Sequence, residues 1–180
     1  MSDVVADLKA RARPWRRGNT FEDFKVGQKF RHHWGRTLTA GDNVLFTTLT
    51  LHYNPLYTNA DCARARGFPD LVVCPLLLFN TVFGLSVEDL SEGGGPFLGV
   101  DRLTYRRPVI VGETVYADSQ VVDRRETTSR PGYGIVTWRT HARRQRATSS
   151  SSINAPILSA SESRPEEATP GCARDKPLHT

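Results

Sequence analysis

The chain has 180 residues, of which 38% are hydrophobic and 24% charged, and its formal net charge is +5. This size fits one domain with a core, and no run of about 18 apolar residues is present that could span a membrane. Its arginines are scattered and form no basic helix with interleaved aromatics, which argues against nucleic-acid binding. The charged N-terminus lacks the apolar centre of a signal peptide, so we expect a cytoplasmic protein.

The three cysteines, at 62, 74 and 172, are odd in number and show no CxxC or Cys/His ligand spacing. We therefore expect free thiols rather than disulfides. No set of side chains has the spacing of a metal site, and no metal is expected. His32 and His33 fall on a predicted strand with opposite-facing side chains, which indicates surface or packing roles.

The first third of the chain predicts an arm, a strand pair and a capped helix. Residues 1–20 are charged and aperiodic, and are interpreted as a flexible arm or surface strap. Residues 21–37 predict two strands joined at Val26-Gly27-Gln28. Thr39 and Asp42 form the [ST]xxD pattern of a helix start, so a cap is favoured over a catalytic role for Asp42. The following apolar residues predict a helix of about three turns.

A polar turn separates this helix from a long apolar one. Asn54-Pro55 breaks the first helix, since proline lacks an N–H and disfavours helical geometry in the preceding residue. Residues 59–67 predict a short helix closed by Gly67. The run PLLLFNTVFGL, residues 75–85, is apolar on nearly every side and predicts a helix wrapped by other structure.

The second half of the chain predicts a sheet. Residues 98–109, 114–124 and 134–144 alternate with a period of two, and a fourth strand is expected at about 147–158. One buried helix followed by antiparallel strands is an α+β layout in which the sheet wraps around the long central helix. This is the arrangement of the hotdog fold, and we assign it to residues 21–146.

The C-terminal segment differs from the rest. Residues 147–180 have no aromatics, many serines and prolines, and no sustained alternation. This composition predicts disorder. The abrupt change after Arg146 also raises the hypothesis of an aberrant ending, such as a reading-frame error.

Three stretches together resemble the MaoC-like dehydratases, also called the (R)-specific enoyl-CoA hydratase family. The resemblance covers about residues 20–145 and is strongest to the branch acting on mesaconyl-, itaconyl- or methylmalyl-type CoA thioesters. It rests on the order of the Asn-Pro-Leu turn, the buried helix and the RPV…GET strand turn. The stretches are RTLTAGDNVLFTTLTLHYNPLYTNADCARARGF, VVCPLL and FLGVDRLTYRRPVIVGETVYADSQV.

The resemblance implies a hydro-lyase that adds or removes water at an enoyl-CoA double bond. The family motif Asp-x-Asn-Pro-x-His aligns here with His52, Asn54 and Tyr57, so two of its three polar positions are substituted. His52 is the candidate base, because imidazole titrates near neutrality. Tyr57 can donate or orient. Each of the three also has a structural reading: His52 and Asn54 as turn residues, and Tyr57 as a core ring.

The expected oxyanion site also departs from the family pattern. The family has His-Gly at the start of the buried helix, where this chain has Cys74-Pro75, and Pro75 has no N–H. Either the Leu76 N–H at the positive helix end replaces it, or Asn80 or a water assists, or the thioester lies differently. The candidate residues of the oxyanion or substrate site are therefore Cys74, Leu76 and Asn80. A structural role is favoured for Cys74 over that of a nucleophile.

The resemblance further implies a homodimer or higher oligomer and no cofactor apart from the CoA of the substrate. An acyl-CoA thioesterase and a catalytically silent acyl-thioester-binding protein remain as alternatives. A dicarboxylic acyl group needs a bidentate cation, for which Arg36, Arg64 and Arg106 are candidates by position.

Overall fold

The computed structural model describes residues 2–12, 18–93, 95–144 and 157–163. Within these residues, five antiparallel strands form one sheet in the order β1-β3-β4-β5-β2. The strands are β1 (Lys29–Thr37), β2 (Phe97–Val100), β3 (Thr114–Glu126), β4 (Gly134–Arg144) and β5 (Ile157–Ser163). The helices are α1 (Ser2–Arg11), α2 (Ala40–Leu49), α3 (Pro55–Thr58), α4 (Ala60–Ala65) and α5 (Pro75–Leu90), and a 3-10 turn spans Phe21–Asp23.

Helix α5 lies across the sheet and forms the core with it. Its buried residues, Leu78, Val82, Ser86 and Leu90, recur every four positions and so share one face. Leu78 and Val82 belong to the same apolar cluster as Val115, and burial of each such side chain contributes about 1.5–3 kcal/mol. The face of α5 that points away from the sheet stays partly open in this chain, where Leu76 is 46% exposed.

The start of α2 follows the predicted capping box. Thr39 Oγ1 accepts a hydrogen bond from the Asp42 N–H at 3.2 Å, and the Thr39 N–H donates to the Asp42 carboxylate at 2.8 Å. These bonds satisfy groups that a helix end leaves open. Arg36 pairs with the same carboxylate at 2.8 Å. The assignment of Asp42 as a cap is confirmed.

Two of the predicted strands differ in the structure. Residues 21–23 form a 3-10 turn, so β1 has no partner strand preceding it in the chain. Of the segment predicted at 98–109, the strand Phe97–Val100 ends early. The backbone near Val109 pairs instead with the segment before α5: the Val73 N–H donates to Val109 O, and the Val111 N–H donates to Leu71 O. Local alternation cannot reveal this competing partner.

Both chain ends contain structure that composition does not predict. Residues 2–11, within the predicted flexible arm, form the exposed helix α1. Strand β5 falls within the segment predicted to be disordered, and it lies between β4 and β2. The strand expected at 147–158 therefore begins at Ile157. Residues 145–156 and 164–180 lie outside the described residues, and the aberrant ending stays a prediction.

A buried polar chain joins α5 to three strands. His32 is 2% exposed, and its Nδ1 lies 2.6 Å from Asp89 Oδ2. Its Nε2 lies 2.7 Å from Ser119 Oγ, which bonds Thr140 Oγ1 at 2.8 Å. The neighbouring His33 is exposed and 3.7 Å from Glu88. The opposite-facing packing and surface roles predicted for the two histidines are confirmed.

Two kinds of feature are absent from the described residues. No helix in the described ranges has both the length and the apolar character needed to cross a membrane. In the same ranges, no group of three or more His, Cys, Asp or Glu side chains is arranged to hold a metal ion.

Replacing His32 by alanine is expected to lower the free energy of unfolding by about 2–4 kcal/mol, since Asp89 and Ser119 would lose a buried partner. Urea unfolding measures this change. His33→Ala is the matched control, and we expect it to stay within about 0.5 kcal/mol. Equal effects of the two substitutions would contradict the structural importance of the buried chain.

Candidate active site

The end of α2 determines where His52 lies. The Leu51 N–H donates to Thr48 O at 3.4 Å and the His52 N–H donates to Thr47 O at 2.9 Å, which is the Schellman pattern of a helix C-terminus. Leu51 stands where glycine is usual and has a φ of 54°. A left-handed leucine costs about 1–2 kcal/mol. The tertiary structure thus holds a strained backbone at the residue before the candidate base.

Three of the predicted site residues come together around the His52 ring. His52 is half-buried, and its Nδ1 lies 3.5 Å from the Sγ of Cys74. The ring of Tyr57 meets the imidazole edge to face, with centroids 5.5 Å apart at 87°. Both neighbours are buried. Since the thiol is next to Nδ1, the Nε2 side of the ring is the side that can meet a substrate.

Asn54 is a helix cap in the structure. Its Oδ1 accepts a hydrogen bond from the Leu56 N–H at 3.0 Å, at the start of α3, and Pro55 occupies the first helical position. An asparagine cap and a proline at the first helical position are both typical of a helix N-terminus. This bond fixes the turn between His52 and Tyr57, and a contact of Asn54 with water or substrate stays a prediction.

A fully buried amide, Asn43, holds the parts of the site together. Its Nδ2 donates to Tyr57 O at 3.1 Å and to Val72 O at 2.8 Å, and its Oδ1 accepts from the Cys74 N–H at 2.9 Å. One side chain of α2 therefore joins the α3 turn to the segment that starts α5. Asn43 was not among the predicted site residues, because nothing in its local sequence distinguishes it from an ordinary helix position.

The first turn of α5 offers free backbone donors. Pro75 has no N–H, and the Cys74 N–H is already bonded to Asn43. The N–H groups of Leu76 and Leu77 have no partner within the helix, and no side chain caps this end. They lie at the positive end of a 16-residue helix. The backbone N–H of Leu76 can therefore donate to an oxyanion although the residue before it is proline. Its role in an oxyanion site stays a prediction.

Asn80 lies away from the residues around His52. It is four residues after Leu76, on the same exposed face of α5. No hydrogen bond links Asn80 to another residue within the described parts of the chain. Its assistance at the oxyanion site stays a prediction.

Two tyrosines flank the start of α5. The Tyr105 hydroxyl donates to Pro75 O at 2.7 Å. Burial, followed by the neighbouring Cys74 and Tyr57, raises the pKa of Tyr105 to about 12. Burial and then Cys74 also raise the pKa of Tyr57 above 10.0. Both phenols therefore stay protonated at neutral pH and keep an O–H that can donate a hydrogen bond, as that of Tyr105 does. Tyr105 was not singled out from sequence, although it lies in the quoted stretch FLGVDRLTYRRPV.

Similarity to known proteins identifies the family of this chain. A family model described as mesaconyl-CoA hydratase matches residues 2–156. The chain belongs to the mesaconyl-CoA hydratase family. It is 41% identical to the mesaconyl-CoA hydratase of Haloarcula marismortui over 141 residues, which cover 78% of this chain and 39% of that protein. The chain thus spans about two fifths of the length of this curated relative.

Solved structures confirm the hotdog fold. A putative MaoC domain dehydratase from Chloroflexus aurantiacus superposes with a TM-score of 0.72 at 26% identity, covering 89% of this chain and 45% of that one. A Mycobacterium tuberculosis protein described as having a double hotdog fold gives a TM-score of 0.68 at 23% identity, covering 88% and 47%. The predicted family membership and α+β hotdog fold of this mesaconyl-CoA hydratase family member are both confirmed.

Replacing Asn43 by aspartate is expected to lower the free energy of unfolding by about 2–4 kcal/mol at neutral pH. Aspartate keeps the acceptor for Cys74 but places an oxygen against the carbonyls of Tyr57 and Val72. Urea unfolding measures the loss. Asn59→Asp is the matched control: Asn59 Oδ1 caps α4 by accepting from the Cys62 N–H at 3.0 Å, and aspartate caps equally well. A stable Asn43→Asp protein would show that the two donor bonds are unimportant.

Proposed function

We propose that this protein is a hydro-lyase that adds or removes water at the double bond of a short branched or dicarboxylic enoyl-CoA, such as mesaconyl-CoA or itaconyl-CoA. The observation that carries the proposal is the placement of His52 against Cys74, at the start of α5. The imidazole of His52 thereby lies beside the positive end of α5, where the first N–H groups have no partner within the helix. The 41% identity to the Haloarcula hydratase supports the class of substrate.

His52 activates the water. Addition to a double bond conjugated with a thioester needs a base to take a proton from the attacking water, which then bonds to the β carbon. The Nε2 of His52 takes this proton, while the Cys74 thiol next to Nδ1 and the edge-on ring of Tyr57 hold the imidazole in place. The electron pair of the double bond moves towards the thioester, giving an enolate.

The proton returns to the α carbon from the imidazolium. Because burial raises the pKa of Tyr57, its phenol is a far weaker acid than an imidazolium. Tyr57 therefore orients and donates a hydrogen bond, while His52 serves as base and then acid. One residue that both removes and returns the proton acts from one side, so we expect water to add across one face of the double bond.

The enolate oxygen is stabilised at the first turn of α5. Backbone N–H groups aimed at a developing negative charge are worth several kcal/mol in a site that excludes water. The Leu76 and Leu77 N–H groups are the candidate donors, because proline at the preceding position leaves them as the first donors of the helix. No dissociable cofactor enters this mechanism, because CoA is part of the substrate.

Thioester hydrolysis is the second candidate function, and the contact between Cys74 and His52 resembles a nucleophile next to its base. Cys74, however, is 0% exposed and cannot reach a thioester carbon without movement of the start of α5. Within the described parts of the chain, no hydrogen bond or ion pair joins a carboxylate to the His52 ring, so direct water attack lacks a carboxylate base there. Hydration is therefore favoured, and a silent acyl-thioester-binding protein is the outcome expected if neither reaction occurs.

Replacing His52 by alanine is expected to lower kcat/KM for mesaconyl-CoA hydration by about 10²–10³-fold, the usual contribution of a positioned base. The assay follows loss of enoyl absorbance together with free thiol, using mesaconyl-CoA, itaconyl-CoA and crotonyl-CoA. Hydration consumes absorbance without releasing thiol. His33→Ala, at an exposed position, is the control.

Three results would contradict this assignment. Thiol release indicates hydrolysis, and binding without turnover indicates a silent protein. Activity of the His52→Ala protein within about tenfold of the wild type rules out His52 as the base.

We further propose that a second copy of the chain covers the apolar surface beside the site. The exposed side chains flank His52 on both sides and continue onto the start of α5, and Leu49 and Leu51 are 74% and 72% exposed. Patches of this kind mark interfaces. A second copy would also exclude water from His52 and from the Leu76 N–H. The patch consists of Val44, Leu45, Leu49, Leu51, Tyr53 and Leu76.

Replacing Leu49 by glutamate is expected to convert the protein from a dimer, of about twice 20.1 kDa, to a monomer, because the interface would bury an unpaired charge. Sedimentation equilibrium measures the mass. Val26→Glu is the matched control, since Val26 is 62% exposed at a turn outside the patch. A monomeric wild-type protein, or a dimeric Leu49→Glu protein, would remove this surface from consideration.

A further inference from the structure

A dicarboxylic acyl group carries a free carboxylate that must find a cation. Of the three arginines expected from sequence, two already have acidic partners. Arg36 lies 2.8 Å from Asp42. Arg64 lies 3.2 Å from Asp61 and 3.9 Å from Asp70. Their charges are compensated within the fold, so neither is available for a substrate without breaking a pair.

Arg106 and its neighbour Arg107 line a cavity at the start of α5. The cavity has a volume of about 310 Å³, and its other walls include Pro75, Leu78 and Tyr105. Ligand pockets commonly span about 300–1,000 Å³, so this one suits a small group. Apolar walls beside two arginine residues match an acyl chain that ends in an anion.

This cavity adjoins the candidate active site. Pro75 directly follows Cys74, whose thiol lies 3.5 Å from His52. Tyr105 is hydrogen-bonded to Pro75 O. An acyl group whose thioester oxygen meets the Leu76 N–H would therefore start beside Pro75, which is also a wall of the cavity.

The charge of Arg107 is only partly compensated within the fold. Arg107 Nη2 is buried and lies 3.8 Å from Glu113 Oε2, beyond hydrogen-bond distance, with no hydrogen-bond partner among the described residues. Arg144 binds the other oxygen of Glu113. Two guanidinium groups thus share one carboxylate. Burial, followed by the charge of Arg144, lowers the pKa of Arg107, a destabilisation that a second carboxylate would relieve.

We propose that Arg107, assisted by Arg106, binds the free carboxylate of the acyl group and so selects dicarboxylic over monocarboxylic thioesters. The assignment rests on the proposed function, since it takes the acyl-CoA as the ligand. Arginine presents parallel N–H donors that match a carboxylate in a bidentate fashion. Arg107 is thereby a specificity residue and takes no part in moving the proton.

The test measures binding, which is independent of turnover. Isothermal titration of the full chain with succinyl-CoA and butyryl-CoA compares a dicarboxylic with a monocarboxylic saturated acyl group that cannot be hydrated. We expect the wild type to bind succinyl-CoA at least about tenfold more tightly, in keeping with a charge-assisted hydrogen bond. Arg107→Gln should remove most of this preference while leaving butyryl-CoA affinity within about threefold, and Arg106→Gln should reduce the preference in part.

Two further variants separate recognition from folding. Arg107→Lys keeps a charge beside Glu113 but loses the bidentate geometry, so it should bind succinyl-CoA between the wild type and Arg107→Gln. Arg102→Gln, at an exposed position of the same loop, should change neither affinity. An equal loss of both ligands in Arg107→Gln, or equal affinities in the wild type, would overturn the proposal. Failure of the hydratase assay with the binding preference intact would overturn the proposed function alone.

Discussion

The hydrogen bonds of one buried amide determine the geometry of the whole site. Asn43 is fully buried on α2, and it reaches the backbone of the α3 turn, the segment before α5, and the N–H at the start of α5. A buried amide with three partners is stable in one arrangement, because losing any partner leaves a polar group without a hydrogen bond. His52 and Cys74 come from different segments, and this side chain holds them at contact distance.

This constraint also decides which atoms remain for chemistry. The Cys74 N–H is used within the fold and Pro75 has none, so the donors at the start of α5 begin with Leu76. The Schellman turn at Leu51 brings the imidazole to the thiol at a local cost in backbone strain. The substituted motif of this chain therefore keeps an imidazole, a phenol and a helix start in one place.

The hotdog layers place these groups at a surface that a partner can close. The buried face of α5 packs on the sheet, and the polar chain from Asp89 through His32 to Ser119 fixes the far end of the helix against β1 and β3. The opposite face of α5, which carries Leu76 and Asn80, is exposed. The helix is thus anchored where it meets the sheet and exposed on its opposite face.

Much of the local structure could be predicted from the sequence, because it depends on residues that are close together in the chain. The Thr39 to Asp42 cap, the Asn54-Pro55 break and the strand at 134–144 each follow from rules that act within a few positions. The errors came from long-range competition: Val109 pairs with Val73, and the 157–163 strand pairs with β4 despite a composition typical of disorder.

The sequence by itself determined the family, the fold and the residue types of the site, since these depend on motif order and hydrophobic period. Tertiary structure alone decided which of those residues meet. It placed His52 in contact with Cys74, 22 positions further along the chain. It also added hydrogen bonds from Asn43 and Tyr105 to the start of α5, whereas Asn80 has no hydrogen bond to this group among the described residues. The physical reason is that a buried hydrogen bond or a helix end interacts with the groups that packing places beside it. The spacing of two residues along the sequence does not give the distance between them in space.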